Sequence, residues 1–130
     1  MTGKPYRLPT EQEWERAARG IKGREYAWGD EFDKDSLNNQ DFWGKFDFDV
    51  MSTTVVGQFK DGNTPDGISG LSGNVWEWTA SWYETEHTSR VLRGGSWFSN
   101  RGYVRCAFRA WFVPGGFNSY VGFRLVSPGS

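Results

Sequence analysis

Residues 90–125 read RVLRGGSWFSNRGYVRCAFRAWFVPGGFNSYVGFRL, and this stretch decides what kind of fold the chain can adopt. Its two ends, Arg93-Gly94-Gly95-Ser96-Trp97 and Val121-Gly122-Phe123-Arg124-Leu125, set small residues beside large ones, as close backbone packing requires. Between them, residues 98–120 follow neither the helical nor the strand period. Phe98, Tyr103, Phe108, Trp111, Phe112, Phe117 and Tyr120 alternate irregularly with Ser99, Asn100, Gly102, Gly115, Gly116, Asn118 and Ser119. Aromatics that add contact area, mixed with small adaptable polar residues, make up recognition surfaces such as antibody loops. The same composition suits a loop-rich β region whose aromatics form core, and composition alone favours that simpler reading.

Outward from this stretch, the whole chain has 130 residues, a length that suits one domain with a core of its own. Aromatics make up 18%, with eight tryptophans, which is the profile of a compact aromatic-rich globule. The net charge of −1 is unevenly spread: residues 1–86 carry −7, and residues 87–130 carry six arginines and no acid. A basic half can bind nucleic acid. These arginines are spaced singly and no lysine accompanies them, so pairing with the acidic half or with backbone carbonyls is the expected use, and no nucleic-acid partner is expected. Cys106 and His87 are each the only residue of their type, which leaves no intramolecular disulfide and no Cys/His zinc cluster. No apolar run reaches membrane-spanning length, so no membrane partner is expected and a cytoplasmic location is the default.

The clearest local signal lies near the start. Thr10-Glu11-Gln12-Glu13 forms a capping box, and Trp14, Ala17 and Ala18 give an apolar stripe at i, i+3 and i+4. Gly20 stops the helix, predicted over residues 11–19. Residues 23–67 are rich in Gly, Asn and Asp, with Tyr26, Trp28, Phe32, Phe42, Trp43, Phe46 and Phe48 scattered among them. This reads as long loops pinned by aromatics, with a short strand near residues 54–59. After the turn cluster 66–74, Val75-Trp76-Glu77-Trp78-Thr79-Ala80 has strand composition. Alternation puts Glu77 on the face opposite Trp76 and Trp78, where a carboxylate needs an arginine, backbone N–H groups or a metal. A second strand is predicted over residues 90–93.

Several chemistries are excluded by sequence. The Gly-Gly pairs at 94–95 and 115–116 lack the context of a phosphate loop, and no G-x-S-x-G motif is present. His87 reads as a surface histidine, and Asp47/Asp49 and Glu84/Glu86 as solvated loop charges. Calcium is the one metal that the oxygen-rich residues 30–49 and 61–74 suit, with Asn38, Asn39, Asp41 and Asn63 as donors, although EF-hand spacing is absent.

Tyr6-Arg7-Leu8-Pro9-Thr10-Glu11-x-Glu13-Trp14-Glu15-x-Ala17-Ala18-Arg19-Gly20 resembles the helix motif of the formylglycine-generating enzyme (sulfatase-modifying factor) family. Tyr26-Ala27-Trp28-Gly29-Asp30, Gly73-Asn74-Val75-Trp76-Glu77-Trp78, Arg93-Gly94-Gly95-Ser96-Trp97 and Gly122-Phe123-Arg124 continue the resemblance in order. It implies an α+β, C-type-lectin-like fold: a small twisted antiparallel sheet, one or two helices and long irregular loops, in a single domain over residues 1–130. The usual family domain is longer at its N-terminus. The family's enzymes use two cysteines after Gly-Gly-Ser to bind copper and oxidise a substrate cysteine. Here no cysteine lies between Ser96 and Arg105, and Cys106 matches a further, non-catalytic cysteine of some members. A lone thiol cannot build a bis-thiolate site, so no catalytic residue is assigned.

The chain is also similar to variable proteins of diversity-generating retroelements, which share this fold and end in R-V-L-R-G-G-S-W, interspersed variable positions and G-F-R. That resemblance implies a non-catalytic protein with a diversified ligand-binding surface over about residues 98–120. Its ligand-contacting positions would be Phe98, Ser99, Gly102, Tyr103, Cys106, Phe108, Trp111, Phe112, Val113, Gly116, Phe117, Ser119 and Tyr120. Nearly all carry residues that adenine-directed mutagenesis of one codon can yield, and Trp111 needs a different starting codon. Asn100, Val104, Arg105, Ala107, Arg109, Pro114 and Asn118 would be framework, with Trp76, Trp78 and Trp97 beneath. The ligand itself has no motif, and a protein is the expected class. The alternatives are a divergent sulfatase-modifying oxidoreductase and an inactive structural module of a larger protein. The family's calcium site implies Glu77 as ligand, with Gly73 and Val75 as carbonyl donors. The upstream Asp or Asn position is Gly70 here, which removes one side-chain ligand, so Glu77 pairing with an arginine is the competing expectation, and no cofactor is required.

Overall fold

A computed structural model describes residues 6–44, 51–55, 57–113 and 120–126. Helix α1 spans Glu11–Arg19, with both halves of the predicted capping box present: Glu13 N–H donates to Thr10 Oγ1 and Thr10 N–H to Glu13 Oε1. Gly20, at φ 67°, closes it. The stripe behaves as the spacing requires, with Trp14 and Ala18 buried against Ala27, Leu71 and Cys106. A second small cluster joins Tyr26, Leu37 and Val104, where the Tyr26 and Trp28 rings stack at 5.3 Å. The aromatics of the long loops therefore anchor them, as expected; Phe46 and Phe48 lie outside the described residues.

Among the described residues, four strands follow a four-residue helix, α2 (Gln40–Trp43), and a 3₁₀ turn over Lys60–Gly62. They are β1 (Trp76–Trp82), β2 (Arg90–Arg93), β3 (Ala110–Phe112) and β4 (Val121–Gly122), in the order β3-β2-β1-β4. The β1–β2 and β2–β3 pairs are antiparallel, but β4 lies parallel to β1, so the sheet is mixed and the expectation of a purely antiparallel one is corrected. β3 and β4 are the two edges of the sheet, and both run in the direction of β1. The strand predicted near residues 54–59 does not form among its described members: Gln58 N–H donates to Val55 C=O, which closes a turn. β3 and β4 were not predicted, because two or three residues are too few to show a period.

Glu77 and Arg93 are register partners, and both project toward α1. Trp76 and Trp78 take the other face, as alternation requires. The sheet thus has a helix face bound by polar contacts and an opposite face lined with aromatic rings.

Asn74 holds the entry to β1. It sits at φ 69°, a left-handed conformation that Asn tolerates better than most residues. Its backbone N–H donates to Asn38 C=O at 2.8 Å, and its C=O accepts from Trp97 N–H at 2.9 Å. Its side-chain Oδ1 accepts from Thr54 N–H at 2.9 Å and Asn38 Nδ2 at 3.1 Å. One residue therefore ties three loops to the sheet.

Candidate functional site

The segment after β2 turns on Gly94 and Gly95, at φ 102° and 74°. A Cβ on Gly95 would stand 2.6 Å from Val104 Cγ1, so only glycine permits this approach. Ser96 N–H then donates to Ser99 Oγ at 3.0 Å, and Ser99 C=O accepts from Gln40 N–H. Asn100 Oδ1 accepts from Gly102 N–H at 2.9 Å, and Arg105 Nε donates to Gly102 C=O at the same distance. An aperiodic path is thus held by hydrogen bonds within it.

The candidate contact residues divide by their surroundings. Tyr103, Trp111 and Val113 are open to solvent, at 44%, 56% and 48% exposure. Phe98, Gly102, Phe108, Phe112 and Tyr120 are half-buried. Their rings form a band on the aromatic face: Phe108 leans on Trp76 at 6.1 Å and Tyr103 at 4.7 Å, and Phe112 stacks on Trp78 at 5.9 Å. Phe98 meets Tyr120 edge-on at 4.7 Å. Trp111, on the alternate face, is tilted against Tyr83 at the sheet's edge.

Two candidates are buried. Ser99 is 5% exposed, and its hydroxyl serves the turn described above. Cys106 is fully buried in the α1 cluster, its N–H bound to Glu25 C=O and its C=O to Arg93 Nη1. A ligand cannot touch either in this conformation. Burial, offset only in part by Arg24 and Arg19, pushes the Cys106 thiol up to about 12, far from the thiolate that metal binding or nucleophilic chemistry requires. Gly116, Phe117 and Ser119, like the framework positions Pro114 and Asn118, lie outside the described residues. Of the remaining framework positions, Val104 is buried and Ala107 is exposed.

What the sequence did not reveal is how the band is fastened to α1. Arg93, 3% exposed, donates through Nη2 to Glu11 Oε2 at 2.9 Å and Glu15 Oε1 at 2.8 Å. Arg109, just before β3, grips the same Glu11 with two bonds of 2.8 and 2.9 Å. Burial works to raise the Glu11 carboxyl, but the hydrogen bonds from Arg109 and Arg93 outweigh it and hold the group below the usual carboxylate range. The arginine-rich half is used internally throughout. Arg101 pairs with Asp41 and Arg124 with Glu77. Arg90 covers the Trp82 ring and donates to Ala80 C=O, and Arg105 lies over Phe108. The signal that could have found the latch is the i, i+4 pair Glu11/Glu15 on the polar face of α1, two acids that need cations from elsewhere.

Of the implied calcium ligands, Glu77 is already engaged by other side chains. Glu77 Oε1 accepts from Trp14 Nε1 at 3.0 Å and Arg124 Nε at 2.6 Å, and Oε2 accepts from Arg124 Nη2 at 2.8 Å. A guanidinium stands where a divalent cation would have to approach. Among the described residues, no group of three or more His, Cys, Asp or Glu is placed to hold a metal, and no helix is long and apolar enough to cross a membrane.

Comparison with known proteins gives this framework its relatives. The sulfatase-modifying factor enzyme 1-like domain matches residues 1–128. The inactive C-alpha-formylglycine-generating enzyme 2 of Bos taurus is 39% identical, covering 93% of this chain and 44% of the relative. The formylglycine-generating enzyme of Streptomyces coelicolor is 34% identical, covering 93% of this chain and 46% of the relative. Among solved structures, Treponema denticola variable protein 1 superimposes with a TM-score of 0.78 at 30% identity, covering 94% of this chain and 47% of that one. The chain spans a little under half the length of each of these relatives, which include both an enzyme and a protein named as inactive. With that domain matched over residues 1–128 and a relative 39% identical over 93% of the chain, the chain belongs to the sulfatase-modifying factor (formylglycine-generating enzyme) family.

Proposed function

We propose that this chain is a non-catalytic ligand-binding protein that presents a diversified surface built on residues 98–120. The observation that carries the reading is the separation of roles within that stretch. Ser99, Val104 and Cys106 are buried and hold the backbone, while Tyr103 is exposed beside the band of rings on Trp76 and Trp78, and Trp111 and Val113 are exposed at β3, Trp111 on the other face. Side chains of the second group can change without disturbing the first. Rigid aromatics supply large contact area at low entropy cost, which suits capture of a protein partner. The single cysteine, buried and held in its thiol form, supports binding rather than the copper-dependent oxidation of the family's enzymes.

The test replaces Tyr103, Trp111 and Val113 together by serine. The expected result is a melting temperature within about 5 °C of the parent, since exposed substitutions cost about 0.5 kcal/mol or less each, about 1.5 kcal/mol for the three. In parallel, related genomic copies should differ at the exposed positions and agree at Ser99, Val104 and Cys106, beside a reverse-transcriptase gene. Unfolding of the triple variant, or copies that vary uniformly along residues 98–120, would overturn the reading. Oxidation of a cysteine peptide by the purified protein with copper would replace it with the enzymatic one.

A further inference from the structure

The mismatch at Glu77 points beyond a missing ligand. Gly70, at φ 69°, occupies the position where the resemblance expects an Asp or Asn, and a Cβ built there would lie 3.6 Å from Arg124 Nη2. The guanidinium therefore extends alongside the space that the absent side chain would use. Its contacts are those of a bound cation. Nε and Nη2 engage both oxygens of Glu77, and Nη2 also donates to Ser69 C=O at 2.8 Å. Glu77 is buried, while Arg124 reaches it from a half-buried position after β4 and is open to a cavity of about 370 Å³ lined by Gly70, Asn74, Val75 and Phe123. The carboxylate arrives from the central strand and the cation from the segment following the edge strand parallel to it. Their pairing thus joins β1 to the C-terminal segment.

Calcium needs six to eight oxygen ligands, most of them free to turn toward the ion. At this place one carboxylate and one carbonyl already serve a guanidinium, and a divalent ion brought beside it would meet like charge at contact distance. We propose that Arg124 is the resident cation of the Glu77 site. Its guanidinium, rather than a metal ion, balances Glu77, so the framework beneath the recognition surface needs no calcium. Glycine at position 70 leaves the site one side-chain ligand short, and Arg124 already holds both oxygens of the carboxylate that remains. Removing the guanidinium and restoring the ligand should turn the site back into one that takes a divalent cation.

The test compares thermal unfolding in calcium chloride and in EGTA for three proteins: the parent, Arg124→Ala, and Gly70→Asn combined with Arg124→Ala. Asparagine is chosen because it accepts the positive φ at position 70. The parent should melt at the same temperature in both buffers and show no heat of calcium binding in titration calorimetry. Arg124→Ala should melt lower in EGTA. The double variant should gain about 10 °C when calcium is 100-fold above its dissociation constant. A calcium-dependent rise in the parent would overturn the proposal whether or not either variant folds. A folded double variant indifferent to calcium would overturn the reading that Arg124 and Gly70 are what keep a divalent ion from Glu77. Neither result bears on whether residues 98–120 bind a ligand.

Discussion

Asn74→Ala should destabilise the domain by about 3 kcal/mol, out of all proportion to its half-buried position. The substitution removes the acceptor for Thr54 N–H at 2.9 Å, the acceptor for Asn38 Nδ2 at 3.1 Å and a weaker 3.4 Å bond from Asn74 Nδ2 to Thr54 C=O. Asn38 Nδ2 keeps a partner in Ser52 C=O, so its loss is partial, whereas Thr54 N–H loses its acceptor. At about 0.5–1.5 kcal/mol net for each bond, with the weak one discounted, the side chain contributes about 2 kcal/mol. Alanine at φ 69° adds strain of about 1 kcal/mol over asparagine. Asn74→Gly separates these contributions: it removes the bonds and relieves the strain, so it should lose about 2 kcal/mol, less than alanine. The assay is guanidinium unfolding followed by fluorescence of the eight tryptophans, with midpoints falling and slopes unchanged. In a thermal scan the alanine variant should melt about 10 °C lower. A loss under about 1 kcal/mol for alanine, or glycine worse than alanine, would refute the assignment of Asn74 as the tie between the three loops.

Two further outcomes follow from ionisable groups. Glu11 and Glu15 both have carboxyls held low: burial opposes this, but hydrogen bonds from Arg109 and Arg93 to Glu11, and from Arg93 and Arg19 to Glu15, prevail. A carboxyl whose folded pKa is depressed contributes stability that is present above its unfolded value and is lost as pH falls through its folded value. Denaturant titrations of the parent and Glu11→Gln should therefore differ most near neutrality and converge below about pH 4, and a pH-independent gap would sink the latch. Cys106, buried and with its thiol raised to about 12, should resist Ellman's reagent at pH 8 in the native protein and react fully once unfolded. Rapid labelling of the native state would contradict its place in the core.

How much of this was legible in the chain depends on the range of the interaction. The α1 helix was fully readable, because capping box, stripe and stop lie within about ten residues of one another. Glu77 was readable as a buried acid in need of a partner, since alternation alone turns it away from Trp76 and Trp78. Its partner was not: Arg124 is 47 positions away, and arginine, backbone and metal were equally consistent with the local pattern. The strand expected at residues 54–59 failed for the complementary reason, since β propensity does not supply a neighbour to pair with.

Within residues 90–125, the sequence by itself determined the inventory of aromatic and small residues, the glycine turn that opens it and the family to which the motifs belong. It also determined that one cysteine cannot make a two-thiolate site. Only the tertiary structure decided which of those residues look outward. Ser99 and Tyr103 are equally plausible contacts in a string without periodicity, yet one closes a turn and the other stands in solvent. Facing in a helix or strand follows from a repeat, but in an irregular segment it is set residue by residue by distant partners. Here those partners are Glu11 and Glu15 on α1, which fix Arg93 and Arg109 across 78 to 98 positions of chain and so fix the path between them.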